Sequence, residues 1–238
     1  MKVLAFGYIP LQFGGKQTSG LATGSFELFN SINEIEANVE VFIVATDVLS
    51  NRTILSTKVH GCNRRALVMR LFKYPINSIK YLFKITTLYP YWILVNPVKL
   101  FFKAILLDKY ISELGPDKIH VDGTYGALLS YVSLNSDVSN YILRIHGING
   151  NDTNIPHSNV HFNLEEFISK QEFCKVSFVT DEIKQEWISS YGKGITDKKV
   201  IWNGYNEKAF FYEEREFSYD LITFSQLSHR KGQLKVIQ

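Results

Sequence analysis

Between residues 58 and 107 the sequence has no aspartate and no glutamate, although it holds nine lysines and arginines there. The other 188 residues carry 17 basic against 23 acidic side chains, so the formal net charge of +3 hides a sharp local imbalance. Cysteine is nearly absent too. Cys62 and Cys174 stand far apart without CxxC spacing, which excludes a disulfide framework and a cysteine-ligated zinc site and suits a reducing cytoplasm. No apolar run reaches the roughly 18 to 20 residues of a membrane span, because Lys80, Lys84, Lys99 and Lys103 interrupt the longest one. Met1 to Gly7 is too short for a signal-peptide core and reads as a buried first strand, so secretion is not expected. Neither GxGxxG nor a P-loop is present, and His157 and His161 lack the Glu of HExxH, which leaves them as loop histidines with no metal expected.

The acid-free stretch also contains Phe72, Tyr74, Tyr81, Phe83, Tyr89, Tyr91, Trp92, Phe101 and Phe102. Cations interleaved with amphipathic rings are what an anionic membrane surface selects. A solvated basic face over aromatics that belong to the core accounts for the same composition equally well. Nucleic acid is not expected as the partner, since no helix-turn-helix, zinc or RNP-type motif accompanies the charge.

Short β-rich runs alternate with helical spacing along the chain. Strands are expected at Lys2 to Gly7, Val39 to Ala45, Lys118 to Val121, Tyr141 to Ile145, Val176 to Thr180, Lys199 to Trp202 and Leu221 to Phe224. Helices are expected at Gly20 to Ile35, Thr124 to Leu134 and Asp181 to Tyr191, with several more between 63 and 113 broken at Pro75, Pro90 and Pro97. The rhythm predicts an α/β fold with a parallel sheet. In such a sheet, ligands bind beyond the carboxyl ends of the strands. Five polar or glycine-rich segments fall there: Tyr8 through Gly14-Gly15-Lys16 to Ser19-Gly20, Asp122-Gly123-Thr124-Tyr125, His146-Gly147, Thr180-Asp181 and Asn203-Gly204.

The first of these places glycines before a helix start, where free N–H groups can hold a phosphate, although a plain turn uses glycines in the same way. His146, after Arg144 at a strand end, can donate to a phosphate or a sugar hydroxyl or serve a structural hydrogen bond. A strand running into Arg230-Lys231-Gly232 before a helix start can grip a diphosphate or be a solvated turn.

Taken in order, the Gly14-Gly15 loop, Asp117 to Val121, Arg144-Ile145-His146-Gly147, Val200 to Tyr205 with Phe210, and Leu227 to Gly232 resemble the GT-B retaining glycosyltransferases of group 1. The resemblance implies a Rossmann-like N-terminal acceptor-side domain over residues 1–205, with helices on both sheet faces. Residues 206–238 would then be the first strand and helix start of a second Rossmann-like domain that binds the donor. It implies transfer of a sugar from a nucleotide-sugar to a glycan or lipid-linked acceptor in surface polysaccharide biosynthesis, with no metal or other cofactor. The location implied is cytoplasmic, peripheral at the inner face of the membrane. By the same resemblance His146 is the catalytic-site histidine, and Gly14, Gly15, Arg230, Lys231 and Gly232 hold the donor diphosphate. Lys16, Ser19, Asp122, Thr124, Tyr125, Arg144 and Asn203 face the acceptor.

Two departures alter the family pattern: Gln226 stands where an Arg is common, and Asp122 where a His is frequent. The acidic Glu-x7-Glu element of the second domain has no counterpart in these 238 residues, so the chain alone is expected not to transfer sugar. Two other roles fit the same features: a noncatalytic acceptor-binding or membrane-docking subunit of a split enzyme, and a GT-B sugar-nucleotide epimerase.

Overall fold

Alternating apolar residues in the first strand face two different cores, and the rest of the fold is built around that division. The computed structural model describes residues 1–201 apart from 18, 19, 136, 174 and 193–197. Among the described residues eight strands make one sheet: β1 (Lys2–Gly7), β2 (Glu40–Ala45), β3 (Arg52–Ile54), β4 (Thr57–His60), β5 (Lys118–Asp122), β6 (Tyr141–Ile145), β7 (Lys175–Phe178) and β8 (Lys198–Val200). Their order is β3-β4-β2-β1-β5-β6-β7-β8, and every pairing is parallel except β3 with β4.

Because side chains alternate along a strand, Val3 and Ala5 point to one face and Leu4 and Phe6 to the other. The first face packs with Ile43 of β2 against Phe26 and Phe29 of α1 (Gly20–Ile35). The second lies under α2 (Arg64–Lys73), α3 (Pro75–Thr87), α4 (Pro97–Leu114), α5 (Gly123–Val132), α6 (Ser158–Ser169) and α7 (Asp181–Tyr191), with Leu107, Leu128, Leu164 and Trp187 in its core.

Local chemistry sets the helix ends. The Asn96 side chain accepts the Lys99 N–H, Pro97 occupies the first turn, and Gly115 closes α4 with φ +56°. Thr180 caps α7, with Asp181 and Glu182 in the first turn beside the positive helix end. The three expected breaks occur: α2 ends before Pro75, Pro90 lies in a short 3-10 turn, and α4 begins at Pro97.

Two features differ from the sequence expectation. The β3–β4 hairpin is too short to show a periodic pattern. Helix α6, not expected from the sequence, buries the polar Glu165 and Ser169 beside Leu164 and Ile168. His157 therefore precedes a helix, with φ +60°, and His161 lies inside it; neither belongs to an open loop. The expected strand at Leu221 to Phe224 and the second-domain segment fall outside the described residues.

Candidate active site

The parallel register of β5 and β6 sets Asp122 beside Arg144, and two residues beyond Arg144 the chain leaves the sheet at His146. Gly123 adopts φ +64°, a conformation that bulky residues avoid, and the turn it makes starts α5 directly after Asp122. His146 Nε2 then meets Asp122 Oδ1 at 2.9 Å, and the Ser25 hydroxyl of α1 donates to Oδ2 at 3.1 Å. Burial alone would raise the Asp122 carboxyl. The hydrogen bond from His146, the neighbouring imidazoles of His120 and His146 and the Ser25 hydroxyl together outweigh that and hold it below the usual carboxylate range. An ionised carboxylate only accepts hydrogen bonds, so the ring nitrogen that meets it, Nε2, carries a proton, and in the neutral form of the ring the lone pair is then on Nδ1. His120, on the same strand, is buried and held neutral mainly by burial, with the nearby Arg144 and His146 reinforcing the effect against Asp122.

A cation stands on the same edge. Lys103 of α4 donates to the Tyr8 hydroxyl at 2.6 Å, with its ammonium 4.7 Å from the centre of the Tyr8 ring and 4.4 Å from that of Tyr125. Tyr8 follows β1 and Tyr125 lies just after β5, the neighbouring strand, so the two rings bracket the ammonium. The Tyr125 hydroxyl is buried without a hydrogen-bond partner. Burial first, and the Tyr8 phenol second, keep it protonated well above the ordinary tyrosine range.

The loops around these groups are clamped by carboxylates from the chain itself. Asp47, two residues past β2, accepts the N–H of Ile9 at 3.3 Å and that of Lys16 at 3.1 Å. Gly14 N–H donates to Leu11 O and Gly15 N–H to Pro10 O. Both N–H groups are thus used inside the loop. Gly15 has a packing reason as well, because a Cβ there would lie 1.8 Å from the Ile9 carbonyl oxygen. Arg52 of β3 covers Gly14 and donates to Phe13 O at 2.9 Å. After His146, the buried Glu165 of α6 accepts the N–H groups of Asn149 and Gly150 and the Tyr191 hydroxyl, at 2.9, 3.0 and 2.6 Å.

Of the residues singled out in the sequence, His146, Asp122 and Tyr125 come together on one edge, and Thr124 sits beside them in the first turn of α5. Lys16 is exposed and contributes its backbone to Asp47. Arg144 is buried and donates to Ile201 O at 3.4 Å. Ser19, Asn203, Arg230, Lys231 and Gly232 fall outside the described residues. Among the described residues no group of three metal-ligating side chains converges. A groove of about 330 Å³ lies beside β2 and β4, lined by Leu49, Asn51, Gly61 and Tyr110, away from the Asp122–His146 pair. Ser25, Asp47, Lys103 and Glu165 were not expected. Asp47 could have been found by the same strand-end rule that selects Asp122, applied to β2.

No protein-family model matches the chain, and no curated protein matches it in sequence. Solved structures match in shape. A sucrose-phosphate synthase from Thermosynechococcus elongatus superposes with a TM-score of 0.56 at 11% identity, over 89% of this chain and 50% of that one. A UDP-N-acetylglucosamine 2-epimerase from Rickettsia bellii gives a TM-score of 0.43 at 12% identity, over 84% of this chain and 44% of that one. The chain spans about half the length of these structures. The likeness to the synthase shows the fold, a Rossmann-like α/β half of the GT-B kind.

Proposed function

We propose that this chain is the acceptor-side half of a sugar-transfer enzyme, with a nucleotide-sugar as donor. The observation that carries the reading is the Asp122–His146 pair at the carboxyl edge of the sheet. With Nε2–H held by the carboxylate, His146 Nδ1 is free to accept a hydrogen bond from an acceptor hydroxyl and fix its direction of approach. In the reaction, the acceptor oxygen bonds to the anomeric carbon as the bond from that carbon to the donor phosphate breaks. The hydroxyl proton passes to the departing phosphate oxygen, and the configuration is retained.

The bracketed Lys103 ammonium supports an acceptor that carries an anionic group beside its sugar, as a lipid-linked acceptor in polysaccharide assembly does. Tyr125, with its unpartnered hydroxyl, is the adjoining donor. A metal has no role in this reading.

Ring resonances of the six histidines, followed by NMR while saccharides and nucleotide-sugars are added, test the proposal. A saccharide is expected to shift the His146 signals and to bind more weakly to His146→Ala. Nucleotide-sugar binding at His146, with no response to any saccharide, would sink it.

A further inference from the structure

Helix α3 is apolar on two opposite faces. Tyr81 and Ile85 point into the core, while Ile76, Ile79 and Phe83, spaced i, i+3 and i+7, point to solvent. A helix that is hydrophobic all round is normally covered all round, yet Ile76 is 69% and Phe83 71% exposed. The neighbouring helix α2, which packs on α3, repeats the pattern with Arg65, Val68, Met69 and Phe72 at i, i+3, i+4 and i+7. Met69 is 71% and Phe72 82% exposed. Val98 and Phe102 continue the exposed apolar surface onto the first turns of α4, which also packs on α3. Soluble surfaces seldom leave so many large apolar side chains together unless something covers them.

The charges say what covers them. Of the nine cations in residues 58–107, three are engaged elsewhere: Lys58 pairs with Glu40, Lys84 donates to the Tyr131 and Ser133 carbonyls, and Lys103 meets Tyr8. Arg65, Lys80 and Lys99 are exposed among the apolar stripes, and Arg70 lies over the Tyr74 ring. No carboxylate occurs in these helices before Asp108. Tyr74 and Tyr89 are exposed amphipathic rings, and Tyr89 packs edge-on against Trp92, the arrangement favoured at headgroup depth. A second copy of the chain would bring like charges together on this face. Among the described residues no helix is long and apolar enough to cross a membrane, so contact would be along the surface.

We infer that the outer face of α2, α3 and the first turns of α4 docks on an anionic lipid bilayer, with Met69, Phe72, Ile76, Ile79 and Phe83 inserted and Arg65, Lys80 and Lys99 at the headgroups. The inference stands apart from the sugar-transfer reading, because it uses none of the groups around His146.

Co-sedimentation of the 238-residue chain with phosphatidylcholine vesicles, with and without phosphatidylglycerol, tests it. Anionic vesicles are expected to bind the chain at least about tenfold more tightly than neutral ones, and added salt to weaken the binding. The double substitution Phe72→Ser with Phe83→Ser is expected to cut binding by about tenfold or more. Ile35→Ser, at an exposed apolar position on α1, should leave it unchanged. All three changes are at exposed sites, and matching circular dichroism shows that the fold is kept. A chain that stays in the supernatant with anionic vesicles overturns the proposal, as does binding that the double substitution leaves intact. A dimer dispersed by the double substitution, without vesicle binding, gives the face to a second copy and also overturns it.

Discussion

His146 and Asp122 join through Nε2 and Oδ1 at 2.9 Å, while Ser25 holds the other carboxylate oxygen at 3.1 Å. Both oxygens are therefore engaged, and the imidazole is held through Nε2. The neutral ring should be the Nε2–H tautomer almost exclusively, readable from nitrogen-15 chemical shifts. Asp122→Asn gives the ring a partner that can either donate or accept, so the tautomers should mix. A wild-type ring with the proton on Nδ1 would contradict the assignment.

Two internal carboxylates hold the loops around this pair, and they should differ in how much they matter. Glu165 is fully buried and serves three donors, so Glu165→Ala leaves Asn149 N–H, Gly150 N–H and the Tyr191 hydroxyl without acceptors. A cost of about 3 kcal/mol or more is expected, measured as a lowered urea midpoint at unchanged slope. Asp47 holds the N–H groups of Ile9 and Lys16, and the Lys16 end is exposed, where water can replace it. Asp47→Ala should cost about 1 kcal/mol, with faster amide exchange at Ile9 and Lys16.

Acid should destabilise the fold before ordinary carboxylates titrate. His120 is buried and its folded pKa is lowered, mainly by burial, so the unfolded chain takes up a proton near pH 6.5 that the folded chain refuses. Stability then falls as the pH drops below that point, by at most about 1.4 kcal/mol per pH unit for this one group. Asp122 acts in the same direction at lower pH: its folded pKa is depressed, so the stability it contributes above the unfolded carboxylate pKa is lost as pH falls through the folded value. His120→Gln should flatten the decline between pH 6.5 and 5 in thermal melts, while the steeper loss below remains.

The sheet was legible because its strands are buried on both faces and bounded by glycine and polar residues, as at Leu4 to Gly7 and Leu143 to His146. The prolines marked the helix breaks because the pyrrolidine ring disfavours helical geometry at the preceding residue. Individual strand-end residues were legible too, His146 and Asp122 among them. Their pairing was not, since it depends on register and on Gly123 turning the chain. Lys103 was hidden for another reason: it sits in α4 between Leu100 and Leu107 in a stretch whose cations look alike, and only packing separates it from Lys99, which is exposed. Glu165 was hidden because a glutamate on a helix ordinarily faces solvent, and only packing shows it buried beside Leu164.

Lys103 is the position where structural and binding roles can be told apart. Among the described residues its contacts are the Tyr8 hydroxyl and the faces of two rings, with no carboxylate to neutralise its positive charge. Lys103→Met keeps most of the side-chain length and its contact with the rings while removing the charge. Tyr8 is exposed and its hydroxyl can turn to water, so the stability change should be about 1 kcal/mol or less. If the ammonium receives an anionic group of the acceptor, a phosphorylated saccharide should bind about tenfold or more weakly to the variant, because a charge-assisted hydrogen bond is lost, and the unphosphorylated saccharide should bind as before. Isothermal titration of both ligands against both proteins reads the difference directly. Equal loss for the two ligands would make Lys103 a packing residue of the Tyr8–Tyr125 edge and would remove the support for an anionic acceptor.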